Sequence, residues 1–472
     1  MIGALTLALA VLAQPAARPG FEESHLFRAL AIERLEPEIA PQGKRVVFVR
    51  VVRYEVFLEH EPFITWPNAL HWLTDEDVVR QELLLAPGDV FDADKMQESA
   101  RNLRDLGIFS LVRILPVKAA GPGEIGLLVV TRDLWSLRLE SEFQFTDGHV
   151  DRLLLQLTER NLAGRNKRAS ARFDLRPLTL RLGGLYTDRR LLGEQLYLFA
   201  KALAVLERED GSYDGFETEL RVARPFYDLW QRWGFDVPMV AEAYTIRQSQ
   251  AGTILTYDPD PDDADEVAIP RVWDHTFFSV EGLAQHQIGQ KWVARFSAGL
   301  GFSLLDAEAD VPAEHRAAFE RDVLPHTFRW IYPVVGASFF ANRFKVFKDL
   351  AAFAISEDVQ LGPSVTFTLR APLEAFGSSE GALQLAGNAG WTEAWAGDGL
   401  VEAAAGAKAR FDPNDDTFYD QTLLLRVRGA TPRSKAGRLV LRGDWLARRR
   451  DTQGSLTTLG GDNGLRGYPS QA

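Results

Sequence analysis

Cysteine is absent from the 472-residue sequence. That excludes disulfides, thiolate zinc sites, cysteine-ligated iron–sulfur clusters and a cysteine nucleophile, so the fold stands on packing and backbone hydrogen bonds. An excess of positive charge is also missing. The 53 Lys and Arg against 65 Asp and Glu give a net charge of −12, which argues against a grip on nucleic-acid phosphates. Beyond the N-terminus no apolar run approaches the roughly 18 residues of a membrane-spanning helix, so a polytopic helical membrane protein is excluded. A mean hydropathy of −0.13 looks soluble, yet the strands of a transmembrane β-barrel alternate between lipid-facing and water-facing residues and average to the same value. That is the one membrane architecture left open.

Signatures of catalysis are sparse. Gly377-Ser378-Ser379-Glu380-Gly381 matches G-x-S-x-G, but strand-like segments lie on both sides of it, Val365 to Ala371 and Ala382 to Ala386. A nucleophile elbow needs a helix after its strand, so this stretch reads as a hairpin turn. The eight histidines form no H-E-x-x-H, and His315 and His326 lack a spaced third ligand. Walker A and dinucleotide fingerprints are absent. The expectation is a protein without catalysis, metal or cofactor.

What is present begins with Ile2 to Ala13, an apolar run the length of a signal-peptide core with small residues before Gln14. Residues 1–13 therefore read as an export signal, although no Lys or Arg precedes the run. No cysteine follows for a lipid anchor. Residues 14–44, rich in Pro, Ala and Glu, read as a linker with room for a short helix.

Residues 45–133 read as a small α/β module of order β-α-α-β-β. Val46 to Val52 is dense in β-branched residues and reads as a strand buried on both faces. Thr74 to Asp77 offers a capped, acidic helix start before Val78, Val79 and Leu83. Asp92 caps a second helix, whose Met96, Ala100 and Leu103 share one face, and Gly107 stops it with positive φ. Strands follow at Ser110 to Pro116 and Ile125 to Thr131.

From Leu137 onward the period becomes two. Leu137, Leu139, Phe143 and Phe145 alternate with Arg138, Glu140, Glu142 and Gln144. The pattern returns as Trp292 to Phe302 against Lys291, Arg295 and Ser297, as Leu423, Leu425 and Val427 against Arg426 and Arg428, and as Leu439, Leu441 and Trp445 against Arg438, Arg442 and Asp444. Charges on one face are costly inside a soluble sandwich and tolerated in a water-filled lumen. Roughly eleven or twelve such segments can be placed, many about ten residues long, as a tilted membrane crossing requires. Residues 134–472 thus read as an antiparallel transmembrane barrel. The aromatic clusters Phe226 to Trp230 and Trp330 to Tyr332 suit interfacial girdles. Asn161 to Asn166 reads as a tight turn, and Tyr257 to Glu266 and Asp306 to Val323 read as long polar surface loops.

The stretch from Thr74 to Val117, with Gly88-Asp89, Leu103 to Gly107, Phe109-Ser110 and the following Thr131-Arg132-Asp133-Leu134-Trp135, resembles a POTRA domain, the periplasmic module of the BamA/TamA outer-membrane assembly superfamily. The ERNLAGRNKR stretch is similar to a turn between early barrel strands of that family. Gly464-Leu465-Arg466-Gly467-Tyr468 resembles its RGF/RGY loop. The resemblance implies that Arg466 makes polar contacts with the inner barrel wall, that Gly464 and Gly467 permit the reversal, and that Tyr468 packs on the wall.

That resemblance implies localisation in the bacterial outer membrane with the POTRA-like domain in the periplasm. It implies insertion or translocation of other polypeptides. Client strands would be templated by β-augmentation on Leu137, Leu139, Phe143 and Phe145. The expected partners are outer-membrane lipid, unfolded outer-membrane or secreted polypeptides, and periplasmic accessory proteins. Two alternatives share the architecture: a two-partner secretion transporter for one passenger, and a passive pore or surface antigen. In relatives further strands follow the RGY loop, whereas the sequence stops four residues after Tyr468. It therefore reads as an incomplete barrel, roughly five strands short, from a truncated product, a partial gene model or a split protein.

Overall fold

The computed structural model describes residues 21–58, 65–146, 149–250, 252–260, 267–348, 350, 355–434 and 437–452. The chain divides into two compact units. One comprises Met1–Arg138, Glu159–Lys167 and Lys345–Val359; the other comprises Leu139–Thr158, Arg168–Phe344 and Gln360–Ala472.

The first unit contains helix α1 (Phe21–Glu33), strand β1 (Arg45–Tyr54), helices α2 (Glu76–Gln81) and α3 (Ala93–Asp105), and strands β2 (Phe109–Lys118) and β3 (Glu124–Asp133). The sheet order is β1-β3-β2, with β1 parallel and β2 antiparallel to β3. As the central strand, β3 is buried along nearly its whole length. One face packs Val46, Val49, Ile125, Leu127 and Val129 against Val79, Leu103 and Leu106 of the α2–α3 layer. Fully burying a side chain such as Leu103 contributes about 1.5–3 kcal/mol.

The other face packs Leu128, Val130 and Val117 against Ala29 and Leu30. The segment read as a linker thus supplies α1, a 13-residue helix that covers this second face. Asp92 caps α3 as expected, accepting from the amides of Asp94 and Lys95 at 2.8 and 3.2 Å. Gly107 takes φ +68°. Helix α2 has the expected acidic first turn with Asp75 at its N-cap, but Asp75 makes no side-chain cap bond, and the Thr74 hydroxyl donates to Asp133 instead.

The second structure is a 16-stranded sheet. Its strands are β4 (Leu137–Thr146), β5 (His149–Leu162), β6 (Lys167–Leu175), β7 (Thr179–Asp188), β8 (Tyr197–Glu207), β9 (Tyr213–Arg224), β10 (Trp233–Arg247), β11 (Val272–Ile288), β12 (Trp292–Glu308), β13 (Phe328–Ala341), β14 (Arg343–Lys348), β15 (Ser356–Arg370), β16 (Leu383–Trp395), β17 (Gly399–Asp412), β18 (Thr417–Ala430) and β19 (Val440–Arg449). Neighbours in sequence pair in sequence order, except that β14 pairs β15 off the main path and β13 pairs β15 directly. The order ends at β4 and β19, and no pairing between these two is found among the described residues.

The strand count exceeds the eleven or twelve read from alternation. Segments such as β17, with Ala403 to Ala405, Ala407 and Ala409, carry too little hydrophobic contrast to register as a period of two.

Registers confirm two chemically distinct faces. Phe296, Leu300, Val335, Phe339, Phe367, Val427 and Leu441 lie exposed on one face. Lys201, Glu217, Arg221, Asp236, Glu281, Arg370, Arg410 and Asp444 lie on the other. Exposed apolar side chains across neighbouring strands form a continuous surface suited to hydrocarbon, not water.

Candidate functional site

Strand β4 follows the TRDLW phrase that ends β3, and it forms one end of the sheet. Of the four residues expected to template a client, Leu139, Phe143 and Phe145 are exposed by 67%, 58% and 64%, and Leu137 is half-buried. The opposite face of β4 is tied to β5. Arg152 pairs with Glu142 at 3.1 Å, and the Gln156 amide donates to Glu140 Oε2 at 3.2 Å. Only β5 pairs with β4 among the described residues, so the other edge offers backbone N–H and C=O groups.

A buried polar node stands at the root of this strand. Asp133 Oδ2 accepts from the Thr74 amide and from the Thr74 hydroxyl, each at 2.8 Å, and is 3.0 Å from His71 Nε2. His71 Nδ1 lies 3.2 Å from Ser136 Oγ, and the His71 and Asp133 side chains are 1% and 0% exposed. The Trp135 ring stacks on His71. Ser136 is itself buried, so its hydroxyl is enclosed within the node. Nearby, burial lifts the Glu55 carboxyl above the ordinary carboxylate range, and the Asp133 charge acts in the same direction.

The β5–β6 turn joins the same network. Asn161 Nδ2 donates to Thr74 Oγ1 at 2.9 Å and to the Trp72 carbonyl at 3.3 Å, while Asn161 Oδ1 accepts from the Asn166 amide. The Asp75 amide donates to the Gly164 carbonyl at 2.8 Å. Gly164 has φ +71°, and a Cβ there would stand 2.6 Å from the Leu73 carbonyl oxygen. The Arg160 amide donates to the Ser136 carbonyl and ties the end of β5 to the start of β4. Two motifs read separately in the sequence, TRDLW and ERNLAGRN, are therefore halves of one hydrogen-bonded cluster.

The polar face of the sheet holds a second arrangement. Glu281, Gly301 and Tyr332 are register partners on β11, β12 and β13. Because Gly301 has no side chain, the Tyr332 ring lies across it, and its hydroxyl donates to Glu281 Oε1 at 2.9 Å. Arg370 reaches the same carboxylate at 2.5 and 3.2 Å. Elsewhere Glu217 takes Arg181 and Lys201, and Arg410 pairs with Asp420 at 2.9 Å. The charges expected to face a lumen thus form cross-strand pairs.

Several expectations are corrected. Trp330 and Tyr332 lie buried on the polar face and bond Glu380 and Glu281, so they form no girdle. Phe226 and Tyr227 likewise turn to cations, with Arg295 4.7 Å from the Phe226 ring centre and Arg190 4.3 Å from that of Tyr227. The exposed indoles at strand ends are instead Trp233, Trp292 and Trp395, all on the apolar face and all at the same end of the sheet. Their parity with the apolar positions of their own strands was the available signal.

The stretch from Asp306 to Val323 is not a bare loop. Strand β12 runs to Glu308, and helix α4 (Ala313–Asp322) buries Phe319 against Ile269 and Val311. A helix with so little apolar surface gives no period in sequence. The G-x-S-x-G stretch is the expected turn between β15 and β16, and Ser378 Oγ both accepts from the Ile331 amide and donates to its carbonyl. Residues 1–13, the acidic stretch 261–266 and Gly464, Arg466, Gly467 and Tyr468 lie outside the described residues.

Residues 72–130 match the POTRA family, described as "Surface antigen variable number repeat". The POTRA-like reading of this segment therefore stands. Among solved structures, the chain is similar to BamA from Haemophilus ducreyi lacking POTRA domains 1–3, at 9% identity and TM-score 0.36, covering 94% of this chain and 84% of that one. It is similar to CdiB from Acinetobacter baumannii at 8% identity and TM-score 0.40, covering 85% and 63%. CdiB from Escherichia coli gives 12% identity and TM-score 0.36, covering 87% and 75%. No curated protein matches the chain.

Proposed function

We propose that the chain is an outer-membrane factor of the BamA/TamA type that inserts or translocates other polypeptides, with the POTRA domain in the periplasm. The observation that carries this reading is the open edge of β4, the strand that follows the POTRA domain in sequence. The ten residues of β4 leave roughly five with both backbone groups turned toward the open edge. An extended client strand satisfies those groups in a sequence-tolerant way, at about 0.5–1.5 kcal/mol net per hydrogen bond. The exposed Leu139, Phe143 and Phe145 continue the apolar face onto which an incoming strand would add its own lipid-facing residues. Such work needs no catalytic group, metal or cofactor.

Depletion of the full-length protein tests this function, with outer-membrane protein levels as the readout. Photo-crosslinkers at Leu139 and Phe143 should capture nascent barrel proteins, and those clients should fall on depletion. Capture of a single secreted passenger would favour a two-partner transporter. Unchanged levels of every barrel protein together with no capture would leave a passive pore and overturn the proposal.

A further inference from the structure

We infer that the segment Trp66–Trp72 is a membrane anchor, a rigid loop that sets two indoles and a leucine into the phospholipid headgroup region next to the β5–β6 turn. The inference rests on the reading that the large sheet crosses a membrane. Trp66, Leu70 and Trp72 are 65%, 60% and 53% exposed within seven residues. They are not a loose loop tip. Pro67 stands in the first turn of a 3₁₀ helix over Trp66–Leu70. Asn68 staples that helix from below, with its side chain accepting from the Phe57 amide at 3.3 Å and donating to the Phe57 carbonyl at 2.8 Å. His71, between the exposed residues, is locked into the buried node by Ser136 and Asp133. A loop this firmly held, with large apolar groups turned to water, is built to be covered.

Its neighbours say by what. The Trp72 carbonyl accepts from Asn161, one residue before the end of β5, where a membrane-crossing strand leaves the bilayer. Tryptophan favours that interfacial level, where an apolar ring meets lipid and the indole N–H meets headgroups. The adjoining turn carries Arg165, whose side chain is 67% exposed and lies 3.7 Å from Asp75, and Arg160 and Lys167 flank it on β5 and β6. Cations beside an indole pair suit the phosphate layer of a leaflet containing anionic lipid.

Because the chain has no cysteine, single-cysteine labelling is clean. An environment-sensitive fluorophore is placed by Leu70→Cys in the full chain, reconstituted in phosphatidylethanolamine–phosphatidylglycerol vesicles. Trp292→Cys on the apolar face of the sheet serves as the lipid reference, and Val90→Cys as the water reference. A shallow spin-labelled lipid should quench the label at 70 as it does at 292. Iodide should reach it several-fold less than at 90, and Arg165→Glu should weaken the lipid quenching. A label at 70 that behaves like the one at 90, while 292 is quenched, overturns the anchor and leaves the membrane reading intact. Shielding of 70 only after an unfolded barrel polypeptide is added overturns it in favour of a protein-docking surface. Loss of lipid quenching at 292 overturns the membrane reading itself, and the anchor with it.

Discussion

Asp133→Asn isolates the contribution of the buried node. The carboxylate oxygen Oδ2 accepts from two groups of Thr74 and pairs with His71, whereas Oδ1 is buried with no partner. An amide oxygen in the Oδ2 position can still take all three contacts. Each weakens from about 2 to about 1 kcal/mol as the acceptor loses its charge, so roughly 3 kcal/mol is lost. The amide NH₂ then occupies the Oδ1 position and adds an unsatisfied buried donor, costing about 1–3 kcal/mol. The sum, about 4–6 kcal/mol, corresponds to three or four orders of magnitude in the local opening equilibrium. The assay is hydrogen exchange of the full chain in membranes, read at the amides of Thr74 and Asp75. Asn161→Ala is the companion variant: it removes three hydrogen bonds but leaves the Thr74–Asp133 contacts, and one to two orders are expected. If protection in Asp133→Asn stays within a factor of about three of the parent, the node is not what holds this region, and the reasoning fails.

Gly164→Ala should release the β5–β6 turn, since the residue combines φ +71° with a 2.6 Å approach to the Leu73 carbonyl; loss of exchange protection at Asp75 reports it. Arg370→Ala leaves Glu281 buried with Tyr332 alone and should destabilise the sheet by about 3–5 kcal/mol in urea unfolding, while adding Glu281→Ala should recover part of that loss. Leu300→Arg on the apolar face should cost about 2–4 kcal/mol of folding into vesicles, and Arg442→Leu on the polar face much less; equal costs would contradict the two-faced reading. At Glu380, in the β15–β16 connection, burial pushes the carboxyl up, but His326, Arg410 and the Trp330 N–H outweigh it and hold it below its ordinary value. That contribution is present above the ordinary carboxylate range and is lost as pH falls through the lowered value, so exchange at the Arg329 and Ile331 amides should quicken on acidification, and Glu380→Gln should remove the step.

How much was legible varied with how local the signal was. The Asp92 cap, the Leu103 stripe and the stop at Gly107 each depend on residues within one or two helical turns, and each is found in place. The acidic start read over Thr74–Asp77 is found with Asp75 at the N-cap, but the Thr74 hydroxyl bonds Asp133, 59 residues away, a partner that no local rule can weigh. Helix α1 went unassigned as more than linker because its pairing face becomes visible only once the second side of the β1-β3-β2 sheet needs covering. Strand β17 gives little periodic contrast because Gly399, Ala403, Ala405, Ala407 and Ala409 fill most of its apolar-face positions.

The sequence alone determined the two-faced character of the strands, since a period of two is a property of the pleat and survives whatever neighbours a strand acquires. It also determined the POTRA-like module, whose turn residues and helix stripes are contiguous. What only the tertiary structure decided is which groups meet across strands and loops. Gly301 opens the path that lets Tyr332 reach Glu281, the aromatic residues of Trp330-Ile331-Tyr332 turn to the polar face, and Asn161 closes onto Thr74. The reason is physical: alternation fixes the face on which a side chain lies, but its partner is set by register and by turn placement, and those are settled only when the strands pair.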